Sequence, residues 1–350
     1  MRSIIELIIA VAIVAVFFVC LGFVLPASGR IERHIEIERP AIHVYDAVNS
    51  MRRIVSWGPW LAADPLAEYE FSGPIDGAGG KAIWTSSVPS VGTGSHEVLD
   101  GGERERSVRL HLNLGPNRDG AGLIKIEPLD VGVKVSMSYD VKFNGLLERY
   151  RGLYLDSELG DKLNLALASL KAMLENSPYA ADYAEAGVEE RELTAGPALQ
   201  LTQTSRGYAG QELNIPRDRA VAFEKLAAFN EKNGLVAGPP QFMELSRDPV
   251  AYVVTFDATI PVDKTEGVKL AGDIKAVTTA AGKYIVAKHI GERDSWHLTG
   301  QTKDKILAYA SVRGINPSAP ETGRKIFVEF ISPDDTPVAV FETAVYVPVE

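Results

Sequence analysis

Cysteine is almost absent from this chain of 350 residues. The single example, Cys20, lies in an apolar run, so an intrachain disulfide, a zinc knuckle and a cysteine nucleophile are excluded. A basic excess is also missing, because 36 Lys and Arg stand against 46 Asp and Glu, giving a formal net charge of -10. Surfaces that bind nucleic acid normally carry a basic stripe. Nucleic acid is therefore not an expected partner.

Catalytic and metal-binding patterns are lacking too. His34, His43, His96 and His111 show neither HExxH nor another ligand spacing, so we expect surface or strand residues there. No acid and base pair is defined by spacing. The sequence therefore predicts no catalytic residue, no metal site and no cofactor, and it leaves open whether the chain is an enzyme.

The N-terminus carries one long apolar run, from Ile4 to Leu25, interrupted only by Glu6. About 20 such residues at 1.5 Å each cross a hydrocarbon core of roughly 30 Å. We predict that residues 1–29 form a single-pass membrane anchor. A cleaved signal peptide is the alternative, but its apolar region would be unusually long, and Arg2 is the only basic residue before it.

The side of the membrane on which the body lies is weakly defined. Arg30, Arg33 and Arg39 outnumber Arg2, which favours a cytoplasmic body by the positive-inside rule. Acidic neighbours and the short N-terminal tail weaken that inference, so the side stays open.

The chain is long enough for two domains, and the first body spans residues 30–176. Ile31 to Glu38 alternates as a strand, and Pro40 begins a helical stretch. Six strand segments separated by turn residues follow between Leu66 and Val141. A last helix, Leu159 to Leu174, keeps a 3.6-residue rhythm. This order predicts an α+β domain in which an antiparallel sheet grips one helix.

Tryptophan and glycine motifs in this body carry a resemblance to a known family. The motif residues are Trp57, Gly58, Pro59, Trp60, Asp64, Pro65, Gly73, Pro74, Gly80, Trp84, Gly92 and Gly94. Together they resemble the SRPBCC superfamily, the START and polyketide-cyclase-like helix-grip fold. The resemblance implies an enclosed apolar cavity for a small hydrophobic ligand, with Trp57, Trp60 and Trp84 as candidate lining residues. Plain core packing of the three rings is the alternative.

Residues 177–186 are rich in Ser, Pro, Ala, Asp and Glu and are predicted to be a linker. The second body, residues 187–350, contains one unit twice: strand, helix, strand, strand. It opens with a strand pair broken at Gly196 and Pro197, and the two helices stop at Gly234 and Gly314. Such a unit cannot bury its sheet face alone, so the copies should pack around a shared groove.

The two hairpins of this repeat are the most informative feature of the chain. Phe242, Met243, Glu244 in the first copy matches Phe327, Val328, Glu329 in the second. A pseudo-two-fold arrangement would direct Glu244 and Glu329 toward one central cleft. We interpret this as a small-molecule site more than a catalytic one, with Glu244 holding the fold in its copy.

This body resembles the GyrI-like, AraC effector-binding family. The matching residues are Asp257, Thr259, Pro261, Gly282, Tyr284, His289, Gly291, Glu329, Val345, Tyr346 and Pro348. The resemblance implies that the acid at the Glu329 position lies in a central pocket and contacts cationic or polar ligands. No helix-turn-helix precedes the body, so a transcription-factor output is not expected. Some members are hydrolases that use the pocket acid.

The strand pattern supports a role for Glu329 independently. Phe327, Glu329 and Ile331 share one face, so the carboxylate interrupts an apolar side and needs a protein donor or a bound cation. A salt-bridged or solvated edge residue is the alternative. A cation over an aromatic ring gains about 0.5 to 2 kcal/mol, so aromatics are expected around it. The candidates are Tyr208, Tyr284, Trp296 and Phe330.

The sequence thus predicts a membrane-anchored small-molecule-binding protein. An apolar ligand is expected in the first body, and an amphipathic or cationic ligand in the cleft of the second. The alternatives are an enzyme, either a cyclase or lyase in the first body or a hydrolase using Glu329 in the second, and a non-binding interaction scaffold.

Overall fold

The computed structural model describes residues 2–102, 106–113, 118–207, 214–248, 250–291, 296–317, 325–333, 336–337 and 340–350. The chain forms two compact units, Met1–Pro178 and Tyr179–Glu350. Each contains helices and one antiparallel sheet, so the predicted α+β class is confirmed. Most of the predicted linker belongs to the second unit, because Tyr183 is buried and its ring lies 5.5 Å from that of Tyr309.

The first unit begins with the apolar helix α1 (Arg2–Val24). Its segment Ile4–Val24 has 21 residues, and its side chains are almost entirely exposed in the chain. This helix is long and apolar enough to cross a membrane. A signal sequence has the same character.

The remainder of the first unit is a seven-stranded sheet with short helices before it and a long helix after it. The sheet order is β1-β7-β6-β5-β4-β3-β2, with every neighbouring pair antiparallel. The elements are β1 (Ser28–Ile37), α2 (Ala41–Asn49), α3 (Met51–Trp57), α4 (Pro59–Ala63), β2 (Glu68–Ser72), β3 (Lys81–Thr85), β4 (Thr93–Gly102), β5 (Ser107–Asn113), β6 (Arg118–Pro128), β7 (Val133–Phe143), α5 (Leu146–Arg151) and α6 (Asp161–Glu175). A 3-10 turn, Gly152–Tyr154, follows α5.

Helix α6 packs on the sheet through one apolar stripe, as the 3.6-residue rhythm predicts. Leu163, Leu167, Leu170 and Leu174 are buried along this stripe. The order of strand, short helices, meander and long helix is the one expected from the helix-grip resemblance.

Arg39 fixes the C-terminal end of α6 to the end of β1. Its Nε donates to the carbonyl of Leu174 at 3.0 Å, and one terminal nitrogen donates to the carbonyls of Glu175 at 2.6 Å and Ser177 at 3.2 Å. The last carbonyls of a helix have no partner inside it. One guanidinium therefore satisfies the end of α6 while it holds the helix against the sheet.

The second unit consists of β8 (Glu189–Leu193), β9 (Pro197–Arg206), α7 (Ile215–Asn233), β10 (Gln241–Asp248), β11 (Val253–Pro261), β12 (Lys275–Thr278), β13 (Gly282–Ile290), α8 (Trp296–Arg313), β14 (Phe327–Phe330) and β15 (Glu342–Pro348). Its eight-stranded sheet has the order β12-β9-β11-β10-β14-β15-β13-β8. The predicted duplication is present, since each copy supplies a strand, a helix and a hairpin. Gly234 and Gly314 end the two helices with positive φ angles of 61° and 69°.

The strand pair predicted at the start of this unit does not form. Strand β8 comes before the first copy in the chain and pairs with β13 of the second copy. Strand β12 comes before the second copy and pairs with β9 of the first. Each of these leading strands, β8 and β12, therefore covers the outer edge of the other copy. An uncovered edge would leave a row of unpaired backbone groups. The exchange of leading strands therefore ties the copies together at both edges of the sheet.

Replacing Arg39 tests the clamp on α6. We expect Arg39→Gln to lower the free energy of unfolding by about 2 kcal/mol, because several hydrogen bonds from a charged group are lost. Arg30→Gln is the control, since Arg30 makes exposed ion pairs with Glu32 and Asp140 and should matter clearly less. Urea unfolding measures both. Equal losses for the two variants would contradict the clamp.

Candidate ligand-binding site

The two faces of the second sheet differ. Helices α7 and α8 cover one face, where their apolar residues pack on Phe242, Phe256, Val328 and Val345. The opposite face, here called the aromatic face, carries a smaller buried cluster: Tyr284, Val286, Phe327, Ala344 and Tyr346. Phe327 and Tyr346 are direct cross-strand partners whose rings stack at 4.4 Å with 7° between their planes.

Glu329 lies on the aromatic face, half-buried, and two protein donors bind its carboxylate. The hydroxyl of Tyr346 donates to Oε2 at 2.8 Å, and Nε2 of Gln241 donates to Oε1 at 3.3 Å. Arg191 in turn donates to the Tyr346 oxygen at 3.5 Å. Burial and the hydrogen bond to Glu329 both raise the pKa of Tyr346. Of the two partners expected for Glu329, the structure supplies the protein donor.

The structure describes the side chains of two of the four predicted pocket aromatics, and only one of these two lies on the face of Glu329. Tyr284 does lie on its face, with its ring 5.6 Å from that of Phe327. Phe330 lies on the opposite face, where its ring is 5.7 Å from that of Phe223, because neighbouring strand residues point to opposite sides. The Phe330 ring is therefore not a neighbour of the Glu329 carboxylate, and its role in ligand binding stays a prediction. Tyr208 and the side chain of Trp296 lie outside the described residues.

Glu244 and Glu329 are not equivalent, contrary to the sequence match. Phe242 packs on the helix-covered face, as Val328 does, whereas Phe327 packs on the aromatic face. The structural match is therefore shifted by one residue, and Met243 takes the place of Glu329 in the first copy. A shift of one residue moves every side chain to the other face. The two carboxylates consequently lie on opposite sides of the sheet.

The seam between the copies, where β10 meets β14, is asymmetric. Strands β10 and β14 pair at Gln241 with Glu329 and at Phe242 with Val328, and the ladder stops there. Two-fold symmetry about the second pair would add a pair between Met243 and Phe327. A bulge of β10 against β11 just beyond Glu244 bends the strand at this point. The two strands therefore part on one side of the seam and stay paired on the other.

A cavity of about 670 Å³ lies where these strands part, beside α8. Its apolar wall comprises Phe242, Phe327, Val328, Val345 and Pro348. Its polar wall comprises Glu244, Arg247, Thr299, Lys303 and Lys325. Glu329 does not line this cavity. The residue chosen from the sequence lies on the side of the seam where β10 and β14 are paired.

The charges at the cavity are predominantly basic. Arg247 grips Glu244 through two hydrogen bonds, at 2.9 Å and 2.8 Å, and this contact raises the pKa of Arg247. Lys303 and Lys325 are half-buried, and within the described part of the chain neither forms an ion pair. A chain with net charge -10 thus places at one cavity two lysines that have no ion-pair partner among the described residues.

Gly300 opens the cavity on the α8 side. A Cβ added there would meet nothing within 4 Å, and the residue is one of those lining the space. A glycine inside a helix costs about 1 kcal/mol relative to alanine. This glycine is the sequence signal that could have indicated the cavity, because an interior helical glycine usually has a packing or functional reason.

The three tryptophans of the first unit lie in its packed interior. The ring of Trp60 is 5.4 Å from that of Trp84, and Nε1 of Trp57 donates to the Ala47 carbonyl at 3.2 Å. Trp84 lies over Gly94, where a Cβ would come within 2.3 Å of the ring. The geometry is that of core packing, and a ligand-lining role stays a prediction.

A buried histidine completes this aromatic core. His96, on β4, is 5.4 Å from Trp60 between ring centres, and its Nε2 lies 3.1 Å from the hydroxyl of Tyr139. Burial, with a smaller effect from His111, lowers the pKa of His96 to about 4. Spacing alone gave no sign of this burial. The pair is a neutral hydrogen bond inside an apolar interior.

No protein-family model matches the chain, and no curated protein matches it. Among solved structures, a hydrolase from Listeria innocua is similar at 13% identity and a TM-score of 0.35, over 47% of this chain and 91% of its own. A truncated norcoclaurine synthase from Thalictrum flavum is similar at 12% identity and 0.33, over 43% and 94%. The Zhui aromatase/cyclase from Streptomyces sp. R1128 is similar at 12% and 0.34, over 43% and 98%. Each likeness covers less than half of the chain.

The buried histidine predicts a pH dependence. The pKa of His96 is about 4 when folded, against an ordinary value of 6.5, so the unfolded chain binds a proton more readily. The contribution of neutral His96 to the free energy of unfolding is fully present above pH 6.5. The free energy of unfolding then decreases by about 3 kcal/mol as the pH falls to about 4. Urea unfolding followed by tryptophan fluorescence at several pH values measures this decrease. His96→Phe should reduce the slope of the free energy of unfolding against pH. The exposed His34→Gln is the control. An unchanged slope in His96→Phe would contradict the assignment.

The Glu329 contact predicts a coupling energy. A double-mutant cycle with Glu329→Met and Tyr346→Phe should give about 1 to 2 kcal/mol, because a hydrogen bond to a charged group is lost. The same cycle on the more exposed pair Glu244 and Arg247 should give less than about 1 kcal/mol. Chemical unfolding provides all the values. Additive effects at Glu329 and Tyr346 would rule out the coupling.

Proposed function

We propose that this chain is a membrane-anchored protein that binds an amphipathic small molecule in the cavity of its second unit. The cavity between β10, β14 and α8 carries this proposal. Its volume of about 670 Å³ falls within the range of roughly 300 to 1,000 Å³ typical of small-molecule sites. An apolar wall with a few convergent polar groups is also typical of such sites.

The charges favour an acidic group on the ligand over the cationic one expected from the sequence. Arg247 already engages Glu244, while Lys303 and Lys325 have no ion-pair partner in the described part of the chain. Glu329 is satisfied by Tyr346 and Gln241. A ligand with an apolar body and an acidic group would use both walls of the cavity.

An apolar ligand in the first unit stays a prediction. Trp57, Trp60 and Trp84 are buried and pack within the unit, so binding would have to displace side chains that already contact one another. We therefore place the ligand in the second unit alone.

An enzyme is the second candidate, and one contact favours it. The hydroxyl of Tyr346 lies 2.8 Å from Glu329. It supplies the candidate general acid near Glu329 that the sequence did not identify. A hydrolase would require turnover that Glu329→Gln abolishes. The rings around Glu329 are buried, so binding in the cavity is the better supported function.

A calorimetric titration of the full chain in lipid nanodiscs tests the binding proposal. Naphthalenesulfonate is the anionic probe, naphthylmethylammonium is its cationic counterpart, and empty nanodiscs give the blank. We expect the anion to bind more tightly, and the double variant Lys303→Gln with Lys325→Gln to lose about tenfold in affinity for it, which corresponds to about 1.4 kcal/mol. The matched control is Lys225→Gln with Lys269→Gln, two exposed lysines of the same unit.

Filling the cavity provides the second arm. Gly300→Leu adds bulk where a Cβ meets open space, so it should abolish binding without loss of thermal stability. Equal affinity for the two probes, or equal losses in the lysine variants and their control, would contradict the proposal.

A further inference from the structure

The last turns of α1 are packed against a segment that follows β7. We call residues 146–154, which comprise α5 and the 3-10 turn, the juxtamembrane segment. The side chain of Leu146 fills the space beside Gly22, where a Cβ would lie only 2.6 Å from it. The ring of Tyr150 lies 6.0 Å from that of Phe18, and its hydroxyl donates to the Phe18 carbonyl. The C-terminal end of α1 therefore packs against the juxtamembrane segment.

Arg149 caps the C-terminal end of α1. Its terminal nitrogen Nη1 lies 3.4 Å from the carbonyl oxygen of Gly22, 3.3 Å from that of Phe23 and 3.4 Å from that of Leu25. Gly22 and Phe23 belong to the last turn of α1 and Leu25 follows it, and carbonyls at the end of a helix have no N–H partner within the helix. Removal of α1 would leave Arg149 and Tyr150 without these partners. The contacts therefore favour a retained anchor over a cleaved signal sequence.

The contact with Phe18 sets the depth of the segment. Phe18 precedes Val24 by six residues, which is about 9 Å along a helix. The apolar side chains of α1 stay exposed as far as Val24, so the hydrocarbon region would extend to that turn. Tyr150 would then lie within the outer 5 to 10 Å of the bilayer, which is roughly the depth of interfacial helices.

The exposed chemistry of the segment suits that depth. Leu147, Leu153 and Tyr154 are 83%, 63% and 64% exposed, so large apolar groups point outward beside the anchor. Arg149 and Arg151 lie between them in the chain. Tyrosine is enriched at the membrane interface, and arginine keeps its charge in the headgroup layer while its stem lies in apolar surroundings.

We propose that the juxtamembrane segment is immersed in the interfacial layer of the leaflet that faces the folded units. It forms a second, shallow attachment that holds the end of the sheet formed by Ser28 and Phe143 against the lipid. This inference rests on the proposed membrane anchor. It adds a lipid-binding surface that the anchor alone does not require.

Lipid-dependent quenching of a fluorophore tests this surface in the full chain. Cys20→Ser removes the only cysteine, and single cysteines at Leu147, Leu153 and Val131 are then labelled with nitrobenzoxadiazole. Val131 is the matched control, because it is 72% exposed and lies beyond the opposite end of β7, about 30 Å along the strand. The vesicles contain phosphatidylcholine, a minor fraction of phosphatidylglycerol, and phosphatidylcholine with a nitroxide high on its acyl chain.

We expect the labels at Leu147 and Leu153 to be quenched roughly threefold more than the label at Val131, because interfacial groups lie near the upper acyl chain. Flotation with the vesicles is measured on the same samples. Flotation with equal quenching at all three positions would overturn the interfacial segment and leave the anchor standing. Failure to float, or loss of α1 from the purified chain, would overturn both.

Discussion

The pairing of β10 with β14 is the constraint on which the second unit depends, because it is the only join between the inner hairpins of the two copies in the described sheet. It consists of two residue pairs: Phe242 with Val328 on the symmetry axis, and Gln241 with Glu329 to one side of it. On the paired side Gln241 and Tyr346 satisfy Glu329. On the other side the strands part, and the cavity with its basic wall occupies the gap. A symmetric repeat thus yields one closed side and one open side.

Much of this fold could be predicted from local pattern. The glycine stops at Gly234 and Gly314, the hairpins and the rhythm of α6 each depend on neighbouring residues, and the structure contains them all. The exchange of β8 and β12 between copies could not be predicted, because strand pairing across the chain leaves no local signal. The alignment of the two copies was predicted one residue out of register. Phe327, Val328 and Phe330 are all apolar, so the sequence does not show which face of the sheet each occupies.

The candidate site was predicted in part for the same reason. Glu329 could be identified as an acid in need of a partner, but its donor Tyr346 comes from a neighbouring strand that only the fold brings near. The cavity arises from a missing pair in the seam, which is a property of tertiary structure. Gly300 was its one visible sign. In the first unit, the contacts of Arg149 and Tyr150 with α1 link residues more than 120 positions apart, so the apolar run alone could not reveal them.

We place the ligand on the open side of the seam and not on the Glu329 side. A crystal structure of the chain with naphthalenesulfonate bound tests this most directly. The expected placement has the ring against Val328 and Val345, with the sulfonate facing Lys303 and Lys325. A ligand found on the aromatic face, in contact with Glu329 and Tyr346, would contradict it.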